Sequence, residues 1–312
     1  MTIAIKWKSL MAGTGASKRQ CSGPHVSGSV PFEAPLDPAS HAHRAVWLSS
    51  QLEAPSWGSV QGYDGCGMSA GLLHNTAVLP NGGNPVQGRL WSLIDAMHKH
   101  PGAAAAPGIT ALVARITACG WTIERHGALV ATGTLKPVAA QAILRELTPP
   151  DGAVPEQGAG WKRSSEWAVL FHEAFSELAT FPAQVAHAAE WLSADKRGEE
   201  HRVYALFAPN AASFIDLRAD ALPPEIDLAM CIYHAFSVHN PAHAREALAL
   251  VLQGVDGAQP LKFAKALVRA LANKTPRWQT KRYPRTREAL KKKAALALWP
   301  SALVASVAPA HP

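Results

Sequence analysis

The sequence lacks several features that would place it in a familiar class. It has no run of about 18 or more apolar residues, so we expect no transmembrane helix. No CxxC pair is present, which argues against a zinc ribbon or a thioredoxin-type site. The N-terminus carries no standard signal peptide, because Lys6 and Lys8 interrupt its apolar residues. The chain is therefore expected to be made in the cytoplasm, and to need a carrier if it acts elsewhere.

Cysteines and charges are also few. The four cysteines lie far apart, and in a chain of this size we expect free thiols rather than two disulfides. Charged residues make up only 17% of the 312 residues and hydrophobic residues 48%, which excludes a disordered chain or a coiled coil. The formal net charge of +7 fits an acidic partner such as nucleic acid, an anionic membrane or an anionic cell wall. A basic soluble protein without such a partner explains it equally well.

Helical spacing of apolar residues dominates the chain. Residues 1–39 are rich in Gly, Ser, Pro and Lys and are predicted to form a flexible arm. Ser40 is the expected N-cap of a helix over 40–53, and residues 121–133 alternate as in a small β-hairpin. The other predicted helices cover residues 86–99, 108–119, 136–147, 163–179, 182–194, 198–207, 223–239, 241–253, 259–273 and 284–297.

The predicted fold class is mainly α. Strands and helices do not alternate as in βαβ units, so a parallel α/β sheet is not expected. We predict a helical bundle with a small β-hairpin beside a glycine-rich loop. One domain is expected over residues 40–298, with a sub-boundary near residue 150, followed by a C-terminal tail over residues 299–312.

The stretch EAPSWGSVQGYDGCGMSAGLLHN, residues 53–75, concentrates glycines and reactive side chains. Glycine lets a ligand approach the backbone closely, and loops on a rigid scaffold commonly carry function. Two carboxylates in one cleft can hydrolyse a glycosidic bond if one is protonated and the other ionised. Partial desolvation beside Leu52 and Trp57 favours the protonated form of Glu53, whereas the polar loop suits an ionised Asp64.

The order of these features resembles the lysozyme-like superfamily, which includes goose-type lysozymes, lytic transglycosylases and bacterial chitosanases. GMSAGLLH at residues 67–74 looks like the GLMQ-like turn of the transglycosylases, and DGCGMSAG at residues 64–71 is similar to the DG-x-G-[IY]-T-x-G loop of the chitosanases. DLAMCIYHAFSVHNP at residues 227–241 is similar to a later helix, LALxFDIxVQN, of phage and bacterial lysozyme-like proteins. In both, a basic segment follows.

The resemblance implies a glycoside hydrolase that cleaves β-1,4 bonds between amino sugars, above all in peptidoglycan, with chitosan a less favoured substrate. It implies no cofactor and no metal. Glu53 would be the general acid, and Asp64 with Ser69 would serve the attacking water. Four residues would bind the sugar: Trp57, Tyr63, His74 and Asn75. Delivery to the wall would fall to a phage or a secretion machine.

Departures from the family pattern keep other interpretations open. Ser69 replaces the Thr of the chitosanases, His74 replaces Gln, and the spacing from Glu53 to Asp64 is shorter than in the chitosanases. A single-Glu transglycosylase-like mechanism is one alternative. Another is a non-catalytic lysozyme-like glycan-binding or structural protein of a phage or injection particle.

Each residue also has a structural interpretation. Asp64-Gly65 is a good turn dipeptide, and Ser69 can be the N-cap of a short helix. Cys66 has no evident third group to complete a nucleophilic site. His239 and His243 have metal-ligand spacing, but Pro241 between them favours a capping role.

The basic segment over residues 277–287 and the Lys291–Lys293 run are compatible with nucleic-acid contact. No helix-turn-helix or zinc-finger pattern accompanies them, so we expect no specific nucleic-acid partner. The sequence leaves the oligomeric state open.

Overall fold

The computed structural model describes most of the chain. The described residues are 3–12, 19–28, 30–53, 56–62, 67–79, 85–124, 127–149, 158–193, 199–211, 213–254 and 259–309. Thirteen α-helices and nine short strands lie within them, which confirms the prediction of a mainly α chain with small β elements. None of the helices in these ranges is long and apolar enough to cross a membrane.

The chain divides into two compact units. Residues 1–31 and 56–187 form the first unit, and residues 32–55 and 188–312 form the second. These boundaries differ from the predicted single domain over residues 40–298 and from its sub-boundary near residue 150. Periodicity finds helices but does not show which helices share a core, and here the segment 32–55 joins a unit built mainly from the end of the chain.

The first unit contains a five-stranded antiparallel sheet in the order β1-β2-β3-β4-β5. Its first two strands pair along their whole length, with Lys6 opposite His25. The predicted flexible arm over residues 1–39 is therefore wrong for these strands. The strand bounds are β1 Lys6–Ala12, β2 Arg19–Val26, β3 Val60–Gln61, β4 Ser69–Ala70 and β5 Asn75–Thr76.

Two small ladders and five helices complete the first unit's architecture. Strands β6 (Val78–Leu79) and β7 (Val86–Gln87) pair, and β8 (Trp121–Ile123) with β9 (Leu129–Ala131) forms the predicted hairpin. The Gln87 side chain binds the hairpin by accepting from the Leu129 N–H at 2.8 Å and donating to the Val138 carbonyl at 2.8 Å. The helices are α2 Leu90–Lys99, α3 Pro107–Ala118, α4 Ala140–Leu147, α5 Gly158–Ser176 and α6 Phe181–Ser193, and the unit boundary falls inside α6.

The core of the first unit is made by the apolar faces of these helices. Trp91, Trp167 and Phe171 are fully buried there. The one polar atom of the Trp91 ring is satisfied, because Nε1 donates to the Ala77 carbonyl at 2.9 Å. Burial of large aromatic side chains contributes roughly 2–3 kcal/mol each before the entropic cost of ordering.

Helix α8 (Pro224–Ser237) is the centre of the second unit. All residues from Ile226 to Ser237 are buried, because α8 packs against several helices. A helix surrounded in this way is mainly apolar on all faces, and the buried polar residues of α8 are Asp227, His234 and Ser237. The remaining helices are α1 His41–Glu53, α7 Glu199–Phe207, α9 Pro241–Gly254, α10 Pro260–Asn273, α11 Tyr283–Leu290, α12 Lys293–Leu298 and α13 Ser301–Val307.

Most helix predictions in this unit are confirmed within a few residues. Ser40 caps α1 as predicted, because its Oγ accepts from the His43 N–H at 3.3 Å. The predicted helix over residues 284–297 is instead two helices, and Lys292 between them has an extended backbone with ψ of 148°. The predicted tail over residues 299–312 is also corrected, because it contains α13, which packs against α8 and α10.

Two of the four cysteines have described side chains. Cys119 and Cys231 are free thiols, as predicted. The side chains of Cys21 and Cys66 lie outside the described part of the chain.

Candidate functional site

Glu53 is the last residue of α1, as predicted, and it is held by an ion pair. Arg282 Nη2 donates to Glu53 Oε1 at 2.7 Å, and the Glu53 side chain is 21% exposed. The mainly apolar surroundings predicted for this carboxylate are therefore wrong. Arg282 lies 229 positions away in sequence, at the end of the π-helix Trp278–Arg282 that leads into α11, and it reaches Glu53 because α11 packs against α1.

Arg282 is itself fixed. Its Nε donates to the Ala235 carbonyl of α8 at 3.1 Å, and Nη2 contacts the same oxygen. Burial lowers the pKa of the Arg282 guanidinium, while the Glu53 carboxylate acts in the opposite direction. The guanidinium thus connects the end of α1 to the backbone of the central helix.

His239 adds a titratable group to this carboxylate site. Partial burial lowers the pKa of its imidazole most, the charge of Arg282 lowers it further, and the charge of Glu53 partly opposes them. The sequence had placed His239 in a helix-capping or metal-binding context, not with Glu53. The sequence gives no local signal that His239 lies near Glu53 and Arg282, because Glu53 and Arg282 are 229 positions apart.

Ser69 lies in a strand rather than at a helix start. It is 1% exposed, and its partners in the sheet are Gln61 on one side and Thr76 on the other. The N-cap interpretation is wrong because residues 69–76 form a β-hairpin, where the resemblance predicts a turn into the next helix. In this strand the Ser69 hydroxyl belongs to the interior of the first unit.

The hairpin turn between β4 and β5 requires an unusual backbone. Gly71, Leu73 and His74 have φ values of 70°, 63° and 45°. Asn75 is 2% exposed, and its Nδ2 donates to the Leu72 carbonyl at 2.7 Å. The predicted sugar-binding role of Asn75 is therefore contradicted by its burial, and its amide instead supports the turn.

Trp57 does not offer a face to a sugar. The ring is 5% exposed and stacks on Phe181 with centroids 4.1 Å apart and planes inclined by 26°. The predicted stacking role fails because Phe181 occupies that face. Spacing in the sequence showed Trp57 in a loop but could not show that the loop is covered by the start of α6.

His74 remains partly accessible. Gln61 Nε2 lies 3.1 Å from His74 Nε2, so the Gln61 side chain of β3 and the His74 side chain of the β4–β5 turn orient each other. The sugar-binding prediction for His74 is neither confirmed nor contradicted by this contact. Tyr63 and Asp64, the other predicted site residues, lie outside the described residues.

The second unit contains a buried polar network that the sequence did not reveal. Asp227 on α8 accepts from His41 Nδ1 at 2.6 Å, Arg44 Nη1 at 2.7 Å and Trp299 Nε1 at 2.6 Å. Burial alone would raise the pKa of Asp227, but the hydrogen bond from His41, the charges of His41 and Arg44, and the Trp299 N–H together lower it. The donors hold the carboxylate ionised inside the core.

The network continues beyond His41. Tyr204 Oη lies 3.1 Å from His41 Nε2 and 3.0 Å from His234 Nε2. His234 Nδ1 lies 3.3 Å from Glu200 Oε1, so a proton on Nδ1 faces this carboxylate, and His234 Nε2 then accepts from the Tyr204 hydroxyl. Burial raises the pKa of Tyr204 and lowers that of His234, so both groups are neutral, in keeping with this pattern.

Three possible metal ligands meet in this network. Ligand atoms of His41, Asp227 and Cys231 all lie within 4.8 Å of one another, and all three residues are buried. Hydrogen bonds already engage both Asp227 oxygens, and the cation of Arg44 is one of the donors. The arrangement is that of an internal ion network joining α1, α8 and the segment after α12.

No protein-family model, curated protein or solved structure matches this chain. The resemblance to lysozyme-like enzymes therefore stays a prediction drawn from short motifs.

The β4–β5 turn gives a direct test of the glycine requirement. Gly71→Ala is expected to lower the free energy of unfolding by about 2–4 kcal/mol, because a Cβ at positive φ is strained and would lie 2.7 Å from a Phe175 ring carbon. Gly120→Ala is the matched control, since Gly120 has φ of 75° with open space around it and loses only the backbone part, about 1–2 kcal/mol. Urea denaturation measures both, and equal losses would contradict the packing argument.

Proposed function

We propose that this chain is a glycoside hydrolase that cleaves β-1,4 bonds between amino sugars in peptidoglycan, with Glu53 as the general acid. The observation that carries the proposal is the placement of Glu53. It ends α1, keeps 21% of its side-chain surface exposed, and is oriented by a guanidinium that is only 10% exposed. A positioned carboxylate on a rigid element is what acid–base catalysis requires.

Helix stability does not explain this placement. The C-terminal end of a helix carries a partial negative charge, so a carboxylate there costs about 0.3–1 kcal/mol, and a cation is the favoured residue. The chain places Glu53 at that position and provides a largely buried arginine to hold it. A residue that weakens its own helix and has its own oriented partner is better explained by chemistry than by folding.

The proposed reaction uses the two carboxylate oxygens differently. Arg282 donates to Oε1. In the proposed mechanism the proton that is transferred lies on Oε2. As the bond between the anomeric carbon and the glycosidic oxygen breaks, Oε2 gives its proton to the leaving oxygen. Water adds to the anomeric carbon and gives its own proton to a base, the role that the glycosidase mechanism gives to a second carboxylate.

The first test is hydrolysis by the unmodified protein. Purified peptidoglycan is incubated with the chain, and turbidity and new reducing ends are followed, with chitosan as a parallel substrate. We expect turbidity to fall and reducing ends to rise together on peptidoglycan. Products that lack a new reducing end would assign the transglycosylase-like mechanism, and an unchanged suspension would overturn the proposal of catalysis.

A non-catalytic glycan-binding protein is the second candidate. The specific observation is that Ser69, which the resemblance assigns to the attacking water, is 1% exposed and so is interior. For this candidate, the protein pellets with insoluble peptidoglycan while releasing no sugar. A protein that neither pellets with peptidoglycan nor releases sugar from it would exclude both candidates.

A further inference from the structure

A basic cavity in the second unit is separate from Glu53. It has a volume of about 480 Å³ and lies between α10 and the end of α13. One wall carries Lys262, Lys265 and Arg269, which are spaced i, i+3 and i+7 and so share one face of α10. We propose that this cavity binds a small, non-aromatic ligand that bears a phosphate ester.

The three cations have no anionic partner within the described part of the chain. No ion pair joins Lys262, Lys265 or Arg269 to a described carboxylate, and neither α10 nor α13 contains Asp or Glu. Lys274, just after α10, differs because it pairs with Glu246 at 2.7 Å. Three like charges on one helix face repel each other, so an anion placed among them is favoured.

The positions of the cations suit a phosphate group. Along a helix axis, residues i, i+3 and i+7 span about 10 Å, so the three long side chains can converge on one site. Arginine binds phosphate through two parallel N–H donors, and lysine adds a compact charge. Opposite to them, the apolar residues of α10, such as Phe263 and Leu267, are buried in the core and fix the helix face.

The remaining lining limits the rest of the ligand. It consists of small or aliphatic residues and one hydroxyl: Ala266, Ala305, Ser306, Val307 and Pro309. No aromatic ring is among the described residues that line the cavity, so these residues offer a nucleobase no stacking partner. A volume of this size accommodates a ligand of the size of a sugar or polyol phosphate. The shared chemistry is a phosphate ester on a polyol, either free or as a unit of a polymer.

Calorimetric titration with glycerol 3-phosphate tests the proposal on the full chain. We expect saturable binding to one site, which weakens as salt is added. Lys265→Ala/Arg269→Ala is expected to weaken it at least about tenfold, since two of three charge-assisted contacts are lost. The matched control is Lys136→Ala/Arg202→Ala, which removes the same two residue types at exposed positions outside the cavity and should bind as the unmodified protein does.

Several results would overturn the assignment. They are the absence of saturable binding to glycerol 3-phosphate and inorganic phosphate, equal weakening in both double variants, or single-stranded DNA that competes and binds far more tightly. Melting curves of all variants establish that they are folded. Glu53→Gln should bind glycerol 3-phosphate normally, so failure of the proposed hydrolase and failure of this site are distinguishable. Tighter binding of poly(glycerol phosphate) than of the monomer would identify the polymer as the source.

Discussion

Glu53→Gln is expected to lower the rate of peptidoglycan hydrolysis at least about a hundredfold, the size of a lost general acid. Glutamine has nearly the same shape, and its amide oxygen can still accept the Arg282 N–H that now reaches Oε1 at 2.7 Å. It has no proton to give to the leaving oxygen. Initial rates of reducing-end release, measured at equal concentrations of folded protein, give the ratio.

Glu288→Gln is the matched control for this experiment. Glu288 is also a glutamate of the second unit, on α11, but it is exposed and pairs only with Lys291 three residues later. Removing its charge should leave the rate unchanged. A Glu53→Gln protein that retains its rate would contradict the assignment of Glu53, and equal losses in both variants would show a general effect of charge on wall binding.

The helices of this chain were largely predictable from local patterns. The apolar spacing in α1 and the serine before it identify both the helix and its cap, because cap and periodicity are properties of neighbouring residues. The β8–β9 hairpin was predictable for the same reason. The strands β1 and β2 were not, because their Lys, Ser and Gly content is that of a loop until they pair with each other and with β3.

The candidate site was predictable only in part. The position of Glu53 at a helix end follows from the sequence, whereas its contact with Arg282 depends on how α11 packs, which no local pattern specifies. For Trp57, the local pattern suggested a role that the fold does not support. A tryptophan among glycines suggests a ligand face, but a contact with Phe181, 124 positions away, buries it. Long-range packing decides both outcomes.

Asp227→Ala is expected to destabilise the second unit by about 3–5 kcal/mol, the range for removing one member of a buried ion network. Three donors from two segments, His41 and Arg44 of α1 and Trp299 after α12, would lose their acceptor in the core. Urea denaturation followed by circular dichroism gives the size of the loss. Hydrogen exchange of peptides from α1 and α8, compared with peptides from α2 and α5, shows whether the loss is confined to the second unit.

Glu288→Ala is the control, since an exposed pair of this kind contributes about 0.5 kcal/mol or less. A loss at Asp227 no larger than at Glu288 would mean that the three donors find other partners or water without cost. Such a result would contradict the interpretation of the network as the connection between α1, α8 and the segment after α12.

The same carboxylate predicts a pH dependence with a defined sign. The pKa of Asp227 in the folded protein is lowered from its ordinary 3.8, so the folded protein holds the ionised form more strongly than the unfolded chain does. Its contribution to stability is therefore complete above the ordinary value and is lost as the pH falls through the folded-state pKa. The difference in unfolding free energy between the unmodified protein and Asp227→Asn should be constant near neutral pH and shrink only in acid. A difference that changes between pH 6 and 8 would contradict the assignment to Asp227, because a carboxylate with a lowered pKa does not titrate in that range.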